Sequence, residues 1–133
     1  MGWLKKLFES KIDPVSLNDS NFKAEVLDFK GPCLVDVWGP GCGPCDKLAP
    51  TIFELANEYR GLVKVCELNA SAAPKTMARL GVRGTPTVLA YLNGVQKTRF
   101  VGFKPKSYIQ QLIEVEFGAA MTELEEGDKA GSK

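Results

Sequence analysis

Apolar positions recur along this chain in two rhythms, and each change of rhythm marks an element. "VSL" at Val15–Leu17 reads as the end of a strand. After it, Phe22, Val26 and Phe29 return at helical spacing, Asn18 is placed to cap that helix, and Gly31-Pro32 stops it. "CLVDVW" (33–38) is short, apolar and β-branched, the pattern of a strand buried on both faces. From Gly43 to about Tyr59 the apolar residues Leu48, Ile52, Leu55, Ala56 and Tyr59 repeat at three and four, which predicts an amphipathic helix. Pro50 lies inside it, has no N–H to donate and crowds the Asp46 carbonyl, so a kink is expected there.

"LVKVCELN" (62–69) predicts the next strand, and Pro74 opens a short helix that ends near Gly81. "TVLAYL", the turn Asn93-Gly94 and "VQKTRFV" form a β-hairpin signal. Pro105 starts a last helix carrying Tyr108, Ile109, Leu112, Ile113 and Val115 to about Phe117, and the polar "TELEEGDKAGSK" beyond it reads as a disordered tail. Strands and helices alternate first and a hairpin follows, so the sheet should be mixed with helices on both faces.

A length of 133 residues fits one domain that can bury an ordinary core without disulfide staples. With 17 Lys and Arg against 16 Asp and Glu there is no basic field for phosphates, which argues against nucleic acid as a partner. Charge interrupts "MGWLKKLFESK" before an apolar stretch of signal-peptide length can form, and no 18-residue apolar run occurs elsewhere. The expectation is a soluble cytoplasmic protein with no membrane partner. "WLKKLF" could make just over one amphipathic turn, expected to pack on the domain or fray.

The chemistry lies in "WGPGCGPC". A strand, a Gly/Pro turn and then a helix place Cys42 at the helix N-terminus, where backbone N–H groups and the dipole stabilise a thiolate. Cys42 is therefore the expected attacking sulfur. Cys45, about one turn on, can attack a mixed disulfide formed at Cys42 and release the reduced target. Gly43 and Pro44 fit the first turn, where a missing N–H leaves little unmet. Two rival readings are weaker. A zinc site needs about four ligands, and the chain has no His and no second C-x-x-C. A purely structural pair accounts for the composition of the loop but not for its position.

"LVDVWGPGCGPC...LAP", "GVRGTPTVLAYLNG" and "RFVG", in that order, resemble the thioredoxin family from about Asp13 to Gly118. The resemblance implies an α/β fold with a central mixed five-stranded sheet flanked by helices on both faces. It divides the chain into an N-terminal extension (1–12), a thioredoxin-like domain (13–118) and the polar tail (119–133). It implies a protein-disulfide reductase that binds no cofactor or metal, its redox group being the Cys42–Cys45 disulfide. The partners so implied are disulfide-containing proteins and a thioredoxin reductase, flavin- or ferredoxin-linked, serving a monomer.

Residue by residue, Thr85-Pro86 resembles the family's cis-proline bond, docking substrate backbone with Gly84, and Gly102 the glycine side of the groove. Asp36 matches a buried aspartate that exchanges a proton with Cys45, and Trp38 a tryptophan at the buried edge. Three positions depart from the family pattern: Gly41 stands where tryptophan is usual, Asp46 where lysine is common, and Glu67 where a lysine partners the aspartate. Asp36 and Glu67 are thus expected to titrate as a coupled pair. These departures also support an alternative, an adaptor with detuned redox activity; a disulfide donor is disfavoured by the Gly-Pro spacer. The same resemblance implies that Cys33 and Cys66 lie on neighbouring parallel strands about three residues out of register, roughly 10 Å apart at strand rise, as separate core thiols.

Overall fold

The computed structural model describes residues 10–131, with side chains as far as residue 127, so the "WLKKLF" stretch lies outside the described residues. Five strands form one sheet: β1 (Val15–Leu17), β2 (Pro32–Trp38), β3 (Lys64–Asn69), β4 (Thr87–Leu92) and β5 (Val95–Val101). Their order is β1-β3-β2-β4-β5. β1 and β2 run parallel to β3, whereas β2–β4 and β4–β5 are antiparallel. The expected mixed five-stranded sheet is the one found. β2 sits at its centre, and six of its seven residues are buried, as its unbroken apolar character requires.

Side chains alternate across a strand, so β2 feeds two separate cores. Cys33, Val35 and Val37 join Cys66, Leu68, Leu89 and Tyr91 on one face, covered by Phe22 and Val26 of a short helical turn and by Ala73. Leu34 joins Val65, Val88 and Ala90 on the other face. That second core is closed by α1 (Gly43–Glu58) through Leu48, Ile52 and Leu55, and by α3 (Lys106–Gly131) through Ile109, Ile113 and Phe117. α2 (Pro74–Leu80) ends at Gly81 in the left-handed conformation.

Three expectations need correction. The helix expected after Asn18 is a π-wound turn, Lys23–Leu27, with Asp28 N–H donating five residues back to the Lys23 carbonyl at 2.8 Å. Asn18 does cap the approach to it, its side-chain oxygen accepting from the Ser20 and Asn21 amides at 2.9 Å each. Phe29 falls beyond the turn and packs from the loop.

The last helix does not stop near Phe117 but runs to Gly131, through most of the stretch expected to be disordered. The apolar stripe carries on at a spacing of four from Ile109, Ile113 and Phe117 to Met121, which is buried in the α1 core. That anchor, followed by helix-forming Glu, Leu and Ala, sustains the extra turns.

Cys33 and Cys66 are not 10 Å apart. Cys66 pairs with Val35, so the two cysteines are offset by two residues on the same face, and their sulfurs touch at 3.7 Å. Both remain free thiols. A two-residue diagonal between neighbouring strands leaves Cα atoms roughly 8 Å apart, beyond the reach of a disulfide, while the side chains close the gap between sulfurs.

The hairpin turn is built as its sequence demands: Asn93 and Gly94 both have positive φ, 52° and 80°. Gly94 is required for a second reason. A Cβ there would lie 2.1 Å from the Leu27 carbonyl oxygen, because the π-wound turn rests directly on the hairpin. α1 continues across Pro50 without a break in its residue range.

Candidate active site

β2 ends at Trp38, the chain turns through Gly39-Pro40-Gly41, and α1 begins at Gly43, so Cys42 takes the N-cap position. Its sulfur accepts from the Cys45 amide at 3.2 Å and is bonded to the Cys45 sulfur, with Cα atoms 5.2 Å apart. A backbone N–H aimed at sulfur, at the positive end of a 16-residue helix, favours the thiolate at Cys42 over a thiolate one turn deeper. Cys42 is partly exposed, whereas Cys45 is buried among the residues beneath the helix. Exposure and the amide contact thus both set Cys42 apart from Cys45. Gly43 and Pro44 occupy the first turn as expected, and Gly41 is exposed at φ 68°, with no atom within 4 Å of where its Cβ would stand.

The Thr85-Pro86 bond is cis. The Thr85 carbonyl oxygen lies 3.6 Å from the Cys42 sulfur, which brings this loop against the disulfide. Two bonds brace it: the Gly102 amide donates to the Pro86 carbonyl at 2.8 Å, and the Thr87 hydroxyl donates to the Gly84 carbonyl at 2.6 Å. Gly41, Gly84, Thr85, Pro86 and Gly102 are therefore gathered at one end of the sheet with the cysteines. Thr87 was missed in the sequence, where it reads as one more β-branched residue of a strand; the polar hydroxyl in an otherwise apolar run was the signal.

Behind the disulfide, Asp36, Trp38 and Glu67 share the α1 face of the sheet. With Cys45, Asp46, Pro14, Ala49, Ile52 and Phe53 they line a cavity of about 300 Å³. Asp36 is 4% exposed, and its Oδ1 has no hydrogen-bond partner. Burial, reinforced by the neighbouring Glu67 charge, pushes its carboxyl up to about 7. Glu67 stands opposite Asp36 in register and accepts from the Trp38 indole N–H. Among the described residues, no group of three or more His, Cys, Asp or Glu is arranged to hold a metal ion.

A family model for thioredoxin matches residues 13–115. The chain belongs to the thioredoxin family. It is 42% identical over 98 residues to the chloroplastic M-type thioredoxin of Pisum sativum, covering 74% of this chain and 57% of that protein. The M-type thioredoxin of Spinacia oleracea is 41% identical over 109 residues, covering 82% of the chain and 60% of that protein. The chain thus spans somewhat more than half the length of these two plant relatives. Thioredoxin 1 of Nostoc sp. is 40% identical over 98 residues, 74% of this chain and 92% of that protein. The thioredoxin assignment accounts for a redox group made of the chain's own cysteines.

Proposed function

We propose that this chain reduces protein disulfides through the Cys42/Cys45 dithiol. The observation that carries the reading is the Cys42–Cys45 disulfide seated at a helix N-terminus, with the Cys45 amide donated to the outer sulfur. In the reduced protein the Cys42 thiolate attacks one sulfur of a target disulfide, forming a mixed disulfide and expelling the first target thiolate. Cys45 then yields its proton to the Asp36 carboxylate and attacks the Cys42 sulfur. The Cys42–Cys45 disulfide forms, the second target thiolate leaves, and two electrons have passed to the target. Gly84, Thr85, Pro86 and Gly102 dock the extended substrate backbone beside Cys42, and the open position at Gly41 shapes the approach.

The electrons return by docking of a thioredoxin reductase, flavin- or ferredoxin-linked, that reduces the disulfide again. The protein acts as a monomer in the cytoplasm. No helix among the described residues is long and apolar enough to cross a membrane. The adaptor alternative is not favoured, since Gly41, Asp46 and Glu67 leave the cysteine pair and its helix terminus intact. Insulin reduction with dithiothreitol as donor tests the proposal: turbidity should develop faster with the wild type and stay at background with Cys42→Ser. Equal rates for the two would overturn it.

A further inference from the structure

β2 and β3 run parallel with Asp36 directly opposite Glu67. Side chains at directly opposed positions of neighbouring strands share a face, about 5 Å apart at Cβ. Trp38 is two residues beyond Asp36 and so emerges on that face as well. Its indole N–H is donated to a Glu67 carboxylate oxygen. The three side chains therefore stand side by side along one wall of the cavity that Cys45 closes from α1, Trp38 bonded to Glu67 and Glu67 opposite Asp36.

What surrounds Asp36 decides what Glu67 does there. α1 contributes Cys45 and the Asp46 carboxylate, β3 contributes Glu67, and β4 places apolar Val88 opposite Asp36. Pro14 and Phe53 complete the wall, and no Lys or Arg lines the cavity. Every charge facing Asp36 is negative. Glu67 is held by a neutral indole donor, so its position is fixed while its charge is left to act on its neighbour. A salt bridge in the same place would have cancelled that charge.

We propose that Glu67, held by Trp38, is the positioning residue that governs when Asp36 takes the Cys45 proton. The proposal rests on the dithiol reading above and deepens it. With the Glu67 charge present, Asp36 remains protonated to higher pH and is the stronger base once it ionises. The resolving step is thereby matched to neutral and mildly alkaline conditions. Glu67→Gln keeps the shape and an oxygen that can accept from the indole, and removes only the charge.

Two readouts on the full chain test it. The side-chain carboxyl of Asp36 is titrated by carbon NMR in the oxidised protein, with Asp36→Asn to assign the signal; no activity is needed. The rate at which Cys45 resolves a mixed disulfide preloaded on Cys42 is then followed against pH. Glu67→Gln should lower the Asp36 midpoint on the order of one pH unit and move the acid limb of the resolution rate by the same amount. Trp38→Phe, which frees Glu67 without neutralising it, should give a smaller shift in the same direction. An Asp36 midpoint equal in wild type and Glu67→Gln overturns the proposal. So does a shifted midpoint with an unmoved rate profile, which would place the fault in the Asp36 step. A wild type that resolves no mixed disulfide at all overturns the dithiol reading and the proposal with it.

Discussion

The Cys45 amide points at the Cys42 sulfur from 3.2 Å, so the residue proposed to attack that sulfur in the mixed disulfide also favours the thiolate there beforehand. This contact belongs to the Cys45 backbone and survives any change of side chain. Cys45→Ser should therefore keep a reactive Cys42 and trap the mixed disulfide, whereas Cys42→Ser should form none. Mass spectrometry after mixing with a disulfide-containing peptide reads both outcomes; a trapped adduct on Cys42→Ser would reverse the assignment. Asp36→Asn should leave adduct formation in place but slow its resolution by about a hundredfold.

The same aspartate makes stability depend on pH. In the folded chain its carboxyl keeps the proton up to about pH 7, whereas in the unfolded chain it loses it near pH 4. Between those values the native state binds the extra proton. The unfolding free energy therefore falls as pH rises through that window and levels off above it, a loss of roughly 4 kcal/mol from this group. Urea denaturation of the oxidised protein from pH 4.5 to 8.5 should show the decline. Asp36→Asn should flatten it and be the more stable form at pH 8.

Gly94 and Gly81 both have positive φ, 80° and 64°, but only Gly94 is confronted by backbone, the Leu27 carbonyl. Gly81→Ala should lose about 1 kcal/mol, the cost of the left-handed conformation alone. Gly94→Ala adds a clash that side-chain motion cannot relieve, and should lose clearly more, about 2 kcal/mol or above. Equal midpoints of urea unfolding for the two variants would contradict the contact between the π-wound turn and the hairpin.

Cys33 and Cys66 are fully buried, and the hydrogen bond between them together with burial pushes the Cys66 thiol up. Both sulfurs are sealed from solvent, so no reagent should reach either in the native state. Titration with a chromogenic disulfide should find no rapid thiol in the oxidised native protein, two after reduction and four after reduction and unfolding. Rapid labelling of the oxidised native protein would show that this face of the sheet opens readily.

The parts legible in the sequence were those carried by local pattern. β2 announced itself by an unbroken apolar run, the hairpin by Asn93-Gly94, and the redox pair by glycine and proline before a helical stripe. What escaped depends on distance in three dimensions. The Cys33–Cys66 contact follows from a register offset of two rather than three, which no local pattern encodes. The π-wound turn yields to the hairpin beneath it at Gly94, a tertiary demand that overrides the spacing of Phe22, Val26 and Phe29. Past Phe117 the glutamates suggested a solvated tail, yet a single buried methionine at position 121 was enough to carry the helix on.

The alternation within β2 divides labour in a single strand. Odd-numbered residues from 33 to 37 belong to the core that holds the two inert thiols, and even-numbered ones supply Leu34, Asp36 and Trp38 to the face that α1 covers. Substitutions at the odd positions act on the core around the two thiols, Leu34 on the core beneath α1, and those at Asp36 and Trp38 on the cavity behind the disulfide. One residue inserted just ahead of Asp36 would flip every position after it, turning the buried acid toward the thiols and Val37 toward the disulfide. The strand is in effect written twice, once for each side, and only its length keeps the two texts apart.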